Sequence, residues 1–231
     1  YKGTSVKVIG VYPGGINTNF YKNSRDYVTV EKQNTFMNPN EVAKIICNNI
    51  FSDLNLNIAD IIIERTGGRS GIGLATAKKL AKENKVIIAD YKNIEQDFLK
   101  NNFDNFENVQ FFKCNISKRE DILNLKQYVL DNFKKLDSLV CCAGIMPLPC
   151  EIDTITDEVM DRTIDVNLKG TFKCLNILGN LIKDTSKIGN IVNISSVNGL
   201  IGEPYGVIYS TTKAGIISLT KSFARYFKGD I

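Results

Sequence analysis

Six short runs rich in Val, Ile and Phe recur along the chain, separated by stretches whose apolar residues follow a helical period. The runs lie near residues 5–12, 58–65, 85–90, 108–115, 137–143 and 189–195. The helical stretches fall near 39–52, 71–84, 93–103, 118–135, 157–183 and 207–228. Strands alternating with helices make a parallel sheet covered on both faces, and strands buried on both sides read as nearly continuous apolar runs. The pattern predicts an α/β fold, a doubly wound parallel sheet with helices on both faces. Two helix starts are marked locally. Ser117-x-x-Glu120 reads as a capping box, and Asn38-Pro-Asn-Glu41 offers an N-cap, a proline at the first helical position and a reciprocal acid. No repeat, low-complexity tract or linker interrupts the 231 residues, which are one domain's worth and long enough to bury a full core.

Composition narrows the chemistry. With no histidine, Ser-His-Asp and Cys-His catalysis and histidine-bound metal sites are excluded, and no metal centre is expected. None of the six cysteines forms a Cys-x-x-Cys pair, and several lie in apolar patterns, which reads as buried reduced thiols in a cytosolic protein. The net charge of +4 is mild and its lysines and arginines interleave with acids, so no nucleic-acid partner is expected. No apolar run approaches the ~18 residues of a membrane span, and nothing at the start reads as a signal peptide. The expected location is cytoplasmic.

Two motifs carry the chemistry. Tyr209-Ser-Thr-Thr-Lys213 places an ammonium one helical turn from a phenol, with Ser196 thirteen residues upstream. A phenol with a pKa near ~10 is a poor base at neutral pH, and lowering it two to three units takes roughly 3–4 kcal/mol. One cation at ~4 Å supplies about that much at an effective dielectric of ~20. The second motif is Thr66-Gly-Gly-Arg-Ser-Gly-Ile-Gly73, which opens the helical run 74–81. Gly67, Gly71 and Gly73 leave bare backbone for a pyrophosphate at a helix N-terminus, and the run 85–90 ends in Asp90, where a dinucleotide fold keeps its ribose-binding acid.

With these motifs, Ala143-Gly144, Asn167, the segment 189–196 and Pro13-Gly-Gly-Ile-Asn-Thr18, the chain resembles the short-chain dehydrogenase/reductase family over nearly its whole length. The resemblance implies a Rossmann-like single domain. It also implies hydride transfer between a nicotinamide cofactor and a ketone or secondary alcohol. By that resemblance Tyr209 is the general acid/base, Lys213 lowers its pKa and holds the nicotinamide ribose, and Ser196 bonds the substrate oxygen. Asn167 bends its helix and holds a relay water. Ser195 competes with Ser196, whose spacing to the tyrosine is the family's. The cofactor-binding set is Gly67, Arg69, Ser70, Gly71, Ile72, Gly73, Asp90, Asn115, Ile116, Cys142, Ala143, Gly144, Tyr209 and Lys213, together with Pro13, Gly14, Ile16 and Thr18. Asp90 favours NAD over NADP, because a carboxylate accepts from ribose hydroxyls and repels a 2′-phosphate; Arg69 is the counterweight. Asn115 stands where the family has an aspartate and can meet the adenine amino group through its carbonyl oxygen, while Cys142 stands where the family has asparagine. The alternative reading is a catalytically silent dinucleotide-binding or redox-sensing module, although the chain keeps the whole catalytic set.

The order of the motifs departs from the family. Residues 66–231 carry the family's N-terminal part and residues 1–65 its C-terminal part, which reads as a circular permutation within one domain, 1–231. Residues 58–65 look like the family's final strand yet run straight into the glycine loop. Either residues 58–65 serve as the central strand and the family's edge strand is lost, or a separate central strand is missing here; Glu64 and Arg65 suit a doubly buried strand poorly, which favours the second. The loop 17–37, with Phe20, Tyr21, Tyr27 and Phe36, is expected to be a lid or a packing patch. Segments 145–150 and 199–203 are expected to line an apolar substrate pocket. A homo-dimer or homo-tetramer through the helices of Asn167 and Tyr209 is implied by the resemblance, with a small-molecule carbonyl or alcohol as substrate and no membrane partner.

Overall fold

The computed structural model describes residues 5–14, 36–51, 59–64, 71–95, 97–104, 106–148, 150–186 and 188–228. Six strands form one sheet: β1 (Ser5–Val11), β2 (Ala59–Glu64), β3 (Lys85–Asp90), β4 (Val109–Lys113), β5 (Ser138–Cys141) and β6 (Ile188–Ile194). All neighbours are parallel, in the spatial order β1-β6-β5-β2-β3-β4. Chain order therefore runs outward in one direction from β2 through β3 to β4 and in the other from β5 to β6. The switch point between β2 and β5 is where open α/β sheets bind ligands, at the carboxyl ends of the strands.

Successive side chains on a strand point to opposite faces, and both faces here are apolar. Ile87, Ala89, Leu139, Cys141 and Ile191 face one core with α4 (Arg119–Phe133) and the long helix α5 (residues 157–185). Val86, Ile88, Val140, Val192 and Ile194 face a second core with α1 (Pro39–Phe51) and α2 (Gly71–Leu80). Three further helices are α3 (Phe98–Asn102), α6 (Asn198–Ile201) and α7 (Val207–Lys228), the last packed along β1 and α5.

The six strands and the helical layers match the sequence expectation, with four corrections. The strand 59–64 is itself the central one, hydrogen-bonded to β3 and β5, so no separate central strand is needed. Its Glu64 occupies the last strand position, paired in register with Asp90. The helix expected over 93–103 is confined to Phe98–Asn102. The expected capping box at Ser117 does not form. Lys118 takes the N-cap position, while Asp121 Oδ2 accepts the Asn115 N–H at 2.8 Å and Asn115 Oδ1 accepts the Ser117 N–H at 3.1 Å. Finally, the stretch 157–183 is helical but not uniformly α. Wider π segments at Asp165–Gly170 and Leu175–Gly179 interrupt it. At the start of α1 the expected cap is present, Asn38 Oδ1 accepting the Asn40 N–H at 2.8 Å.

Close packing of α5 on β6 depends on Gly189. A Cβ there would lie 2.1 Å from Ile182 Cγ2 and 3.4 Å from the Asp137 carbonyl. Gly189→Ala is expected to cost about 1–3 kcal/mol by overpacking, read as a lower urea midpoint at unchanged m-value.

Candidate active site

The carboxyl ends of β5 and β6 and the first turns of α7 bring four polar residues together. Lys213 is only 4% exposed, and its ammonium donates to the Ile194 carbonyl at 2.9 Å. Its Nζ lies 5.5 Å from the centroid of the Tyr209 ring, as the four-residue spacing predicts. Burial lowers the Lys213 pKa from 10.5 to about 8, with nearby Cys142 pulling weakly the other way. Two small residues let the chain close around this cation. A Cβ on Gly144 would lie 3.4 Å from Nζ, and one on Gly199 would lie 2.7 Å from the Lys213 carbonyl carbon.

Asn167 sits inside the first π segment and is fully buried. Its side chain grips the loop after β5 in both directions: Oδ1 accepts the Ile145 N–H at 2.7 Å, and Nδ2 donates to the Ile145 carbonyl at 2.8 Å. The same Nδ2 donates to Thr212 Oγ1 at 3.1 Å, and the Asn167 carbonyl accepts from Thr171 Oγ1 at 2.6 Å. A π turn frees backbone groups from the regular ladder, and such bulges gather at functional sites.

The two serines divide. Ser195 Oγ donates to the Lys213 carbonyl at 2.7 Å and is spent on fixing α7. Ser196 Oγ accepts the Asn198 N–H at 3.2 Å, and no described residue takes its own proton. Its donor remains available for an oxygen in the cleft. The N-terminal segment also reaches this place. The Ser195 N–H donates to the Val11 carbonyl at 2.8 Å and the Val197 N–H to the Pro13 carbonyl at 3.2 Å, so Pro13 and Gly14 border the Ser196 loop.

The remaining expected cofactor residues are split by the structure. Gly71 and Ile72 begin α2, followed by buried Gly73, and Gly71 has a φ of 88°, a left-handed backbone that favours glycine. Asp90 is buried at the end of β3, its Oδ1 accepting the Lys92 N–H at 2.9 Å. Ile116 and Ala143 are buried and Cys142 is half-buried. The Asn115 oxygen expected to meet an adenine amino group instead accepts both the N–H and the hydroxyl of Ser117. The two acceptor sites of that oxygen are thereby used. Gly67, Arg69, Ser70, Ile16 and Thr18 lie outside the described residues, as do Phe20, Tyr21 and Tyr27 of the expected lid. Sequence reasoning missed Thr212 and the Ile145 backbone clamp. Thr212 is visible in the motif Tyr209-Ser-Thr-Thr-Lys213, but nothing in a linear sequence pairs it with a residue 45 positions away.

All six cysteines are free thiols, four of them buried. Burial, with Asp121 nearby, pushes Cys114 up to about 12. Among the described residues no cluster of three or more Cys, Asp or Glu could hold a metal, and no helix is long and apolar enough to cross a membrane.

A parallel sheet with a buried lysine beside a half-buried tyrosine at its carboxyl edge, a serine next to them and a glycine-opened helix at the switch point defines a dinucleotide-binding α/β domain. The model of the short chain dehydrogenase family matches residues 61–230, and the chain belongs to that family. It is 33% identical over 173 residues to the 3-oxoacyl-[acyl-carrier-protein] reductase FabG of Thermotoga maritima, covering 71% of this chain and 67% of that one. It is 32% identical over 174 residues to the short-chain dehydrogenase/reductase olcF of Penicillium canescens, covering 75% and 66%. A solved 3-ketoacyl-(acyl-carrier-protein) reductase from Brucella melitensis, complexed with NADH, superposes with a TM-score of 0.66 at 26% identity, over 74% of this chain and 71% of that one. The chain spans about two thirds of the length of these curated relatives.

Burying the Lys213 cation has a pH signature. Below about 8 both folded and unfolded chains hold the proton, and folding bears the full desolvation cost. Between about 8 and 10.5 the unfolded chain binds more protons, so stability rises with pH in that window. The rise should amount to roughly 3 kcal/mol if this residue acts alone. The difference in urea stability between wild type and Lys213→Met, followed from pH 7 to 10.5, is expected to shift toward wild type by that order.

Proposed function

We propose that this protein is an oxidoreductase that moves a hydride between a nicotinamide dinucleotide, NAD(H) in preference to NADP(H), and a ketone or secondary alcohol. The observation that supports it most directly is the buried Lys213 ammonium beside the Tyr209 ring, with spare N–H donors at the sheet's carboxyl edge. An amine so placed fits ribose hydroxyls, and bare backbone at Gly71 and Gly144 fits the close approach of a dinucleotide.

When bound, the nicotinamide supplies or accepts the hydride. The protein's own residues handle the proton and the charge. Tyr209 gives its phenolic proton to the substrate oxygen as a carbonyl is reduced, or takes it as an alcohol is oxidised. Lys213 favours negative charge on the Tyr209 oxygen by proximity in a site removed from water. Ser196 donates its uncommitted proton to the same substrate oxygen, where charge develops in the transition state. Asn167 holds the loop carrying Gly144 and Ile145, and with it the floor of the cleft. Asp90, buried at the end of β3, supports NAD(H), because a second negative group on the ribose would face its carboxylate. Asn115 shapes the adenine-side turn through Ser117 and need not contact the base.

Apolar Leu148, Leu200 and Ile201 stand exposed on the two segments expected to border the substrate, and the Cys150 N–H ties the first segment to the Tyr205 carbonyl, just beyond the second. They suit a carbonyl compound with an apolar body, in keeping with relatives named for 3-oxoacyl substrates. Exposed Phe172 and Tyr226, joined through Phe223 on α5 and α7, support self-association through those helices. The chain order is read as permuted, supported by β1 lying beside β6 and by Pro13 reaching the Ser196 loop.

Turnover is to be followed at the reduced-nicotinamide absorbance with acetoacetyl-coenzyme A and a panel of ketones and secondary alcohols. Tyr209→Phe is expected to lower kcat by at least about a hundredfold while NADH still binds. Undiminished kcat in that variant would refute the assignment. Separately, kcat/KM is expected to be at least about tenfold higher with NADH than with NADPH, and a preference for NADPH would reverse the cofactor choice.

A further inference from the structure

We propose that Thr212 is a positioning residue, coupling the Asn167 clamp on the cleft loop to the first turn of the helix that carries Tyr209 and Lys213. The inference rests on the oxidoreductase reading above. It is carried by one unbroken run of hydrogen bonds between three segments distant in sequence.

The direction of each bond is fixed by chemistry. The Ile145 N–H can only donate, so the atom of Asn167 that meets it at 2.7 Å is the oxygen. Nδ2 must then face the Ile145 carbonyl at 2.8 Å and Thr212 Oγ1 at 3.1 Å. Nδ2 has only protons to offer, so Thr212 Oγ1 accepts there. Its own proton is left for the Tyr209 carbonyl, which it meets at 2.7 Å. A threonine hydroxyl bonded to a carbonyl three residues back is common on helices and would alone mean little. Here the same oxygen also receives a bond from 45 positions away, and Thr212 is wholly buried, so no water can substitute.

The result is a relay of position, not of protons. The Ile145 loop, in which a Cβ added to Gly144 would touch the Lys213 ammonium, is locked to Asn167. Asn167 is locked to Thr212, and Thr212 to the backbone of Tyr209. On the far side of the helix Ser195 holds the Lys213 carbonyl. Without the Thr212 hydroxyl, the Tyr209 turn keeps its helical bonds but loses its tie to the cleft floor. Small misplacements of a reacting group are costly, because catalysis depends on near-attack geometry.

The test compares wild type, Thr212→Val and Thr212→Ser with NADH and acetoacetyl-coenzyme A, or the best substrate of the panel. Thr212→Val keeps the shape and removes the hydroxyl, and its kcat is expected to fall roughly 10- to 100-fold with KM for NADH little changed. Thr212→Ser is expected to stay within about twofold of wild type. Wild-type kcat in Thr212→Val, or loss of kcat in Thr212→Ser, overturns the proposal. Loss of thermal stability alone, with kcat per folded molecule unchanged, also overturns it. A readout independent of turnover is amide hydrogen exchange at Ile145, which should accelerate in Thr212→Val and not in Thr212→Ser. Unchanged exchange in Thr212→Val sinks the coupling even if no substrate is found. Failure of the oxidoreductase reading is distinguished by full turnover in Tyr209→Phe or by none in wild type.

Discussion

An ammonium group taken out of water at the carboxyl edge of a parallel sheet governs the local architecture of this protein. Lys213 spends one proton on the Ile194 carbonyl, the last residue of β6, which ties the lysine to the strand end. A cation there is tolerable only if the groups around it are held still and offer oxygen, because a buried charge without partners is among the costliest features a fold can carry. The surroundings follow from that demand. Gly199 lets backbone approach where a Cβ would collide with the Lys213 carbonyl, Gly144 keeps the space beside the ammonium open, and Ser195 holds the lysine's own carbonyl from the strand side. The depressed pKa is the residual desolvation cost, and a ligand bearing hydroxyl oxygens is the natural way to relieve it.

The same logic explains why the longest helix is irregular. An unbroken α ladder through residues 157–185 would satisfy its own backbone and leave Asn167 as one more helix-surface amide. The π turn at Asp165–Gly170 widens the helix at that point, and Thr171 takes the Asn167 carbonyl that the widening displaces. Gly170 completes the fit, since a Cβ there would lie 2.8 Å from the Ile116 side chain. The same helix thus packs on the turn at Ile116 and grips the loop at Ile145. The irregularity costs helical hydrogen bonding and gains a rigid floor for the site.

Much of this was legible in the amino-acid order, for physical reasons. Strands buried on both faces are continuous apolar runs, so all six were readable, and their ends came within about two residues because charged residues such as Asp90 and Lys113 mark the sheet's rim. The pairing of Tyr209 with Lys213 was readable because helical neighbours are fixed by spacing alone. What escaped were contacts made across the fold. The cap expected from Ser117 and Glu120 before α4 does not form, because Asn115 and Asp121 instead take the N–H groups of Ser117 and Asn115 and order the turn that precedes the helix. Thr212, Ile145 and the division of labour between Ser195 and Ser196 depend on which hydroxyl faces which strand, and a linear pattern does not encode facing. Glu64 misled for the opposite reason. Its charge argued against a central strand, yet it sits at the strand's last position, where the rule about buried strands no longer applies.

The position of β1 shows how little a parallel sheet depends on the order in which its strands arrive. The family match begins at residue 61, leaving β1 and α1 outside it, yet both are built into the domain as fully as any matched element. β1 pairs with β6 over seven residues in unbroken register, from Ser5 with Ile188 to Val11 with Ile194. α1 supplies Val42, Ile46, Cys47 and Ile50 to the same core as α2. The strand's carboxyl end then delivers Pro13 to the loop of Ser196. A strand is accepted at an edge because its backbone groups find partners and its side chains find the two apolar layers, and neither condition refers to chain order. What order does constrain is reach: each connection must span the distance between the elements it joins. The loop at Ser195–Val197 is therefore held from both halves of the chain, by the Val11 and Pro13 carbonyls at the end of β1 on one side and by α7 on the other.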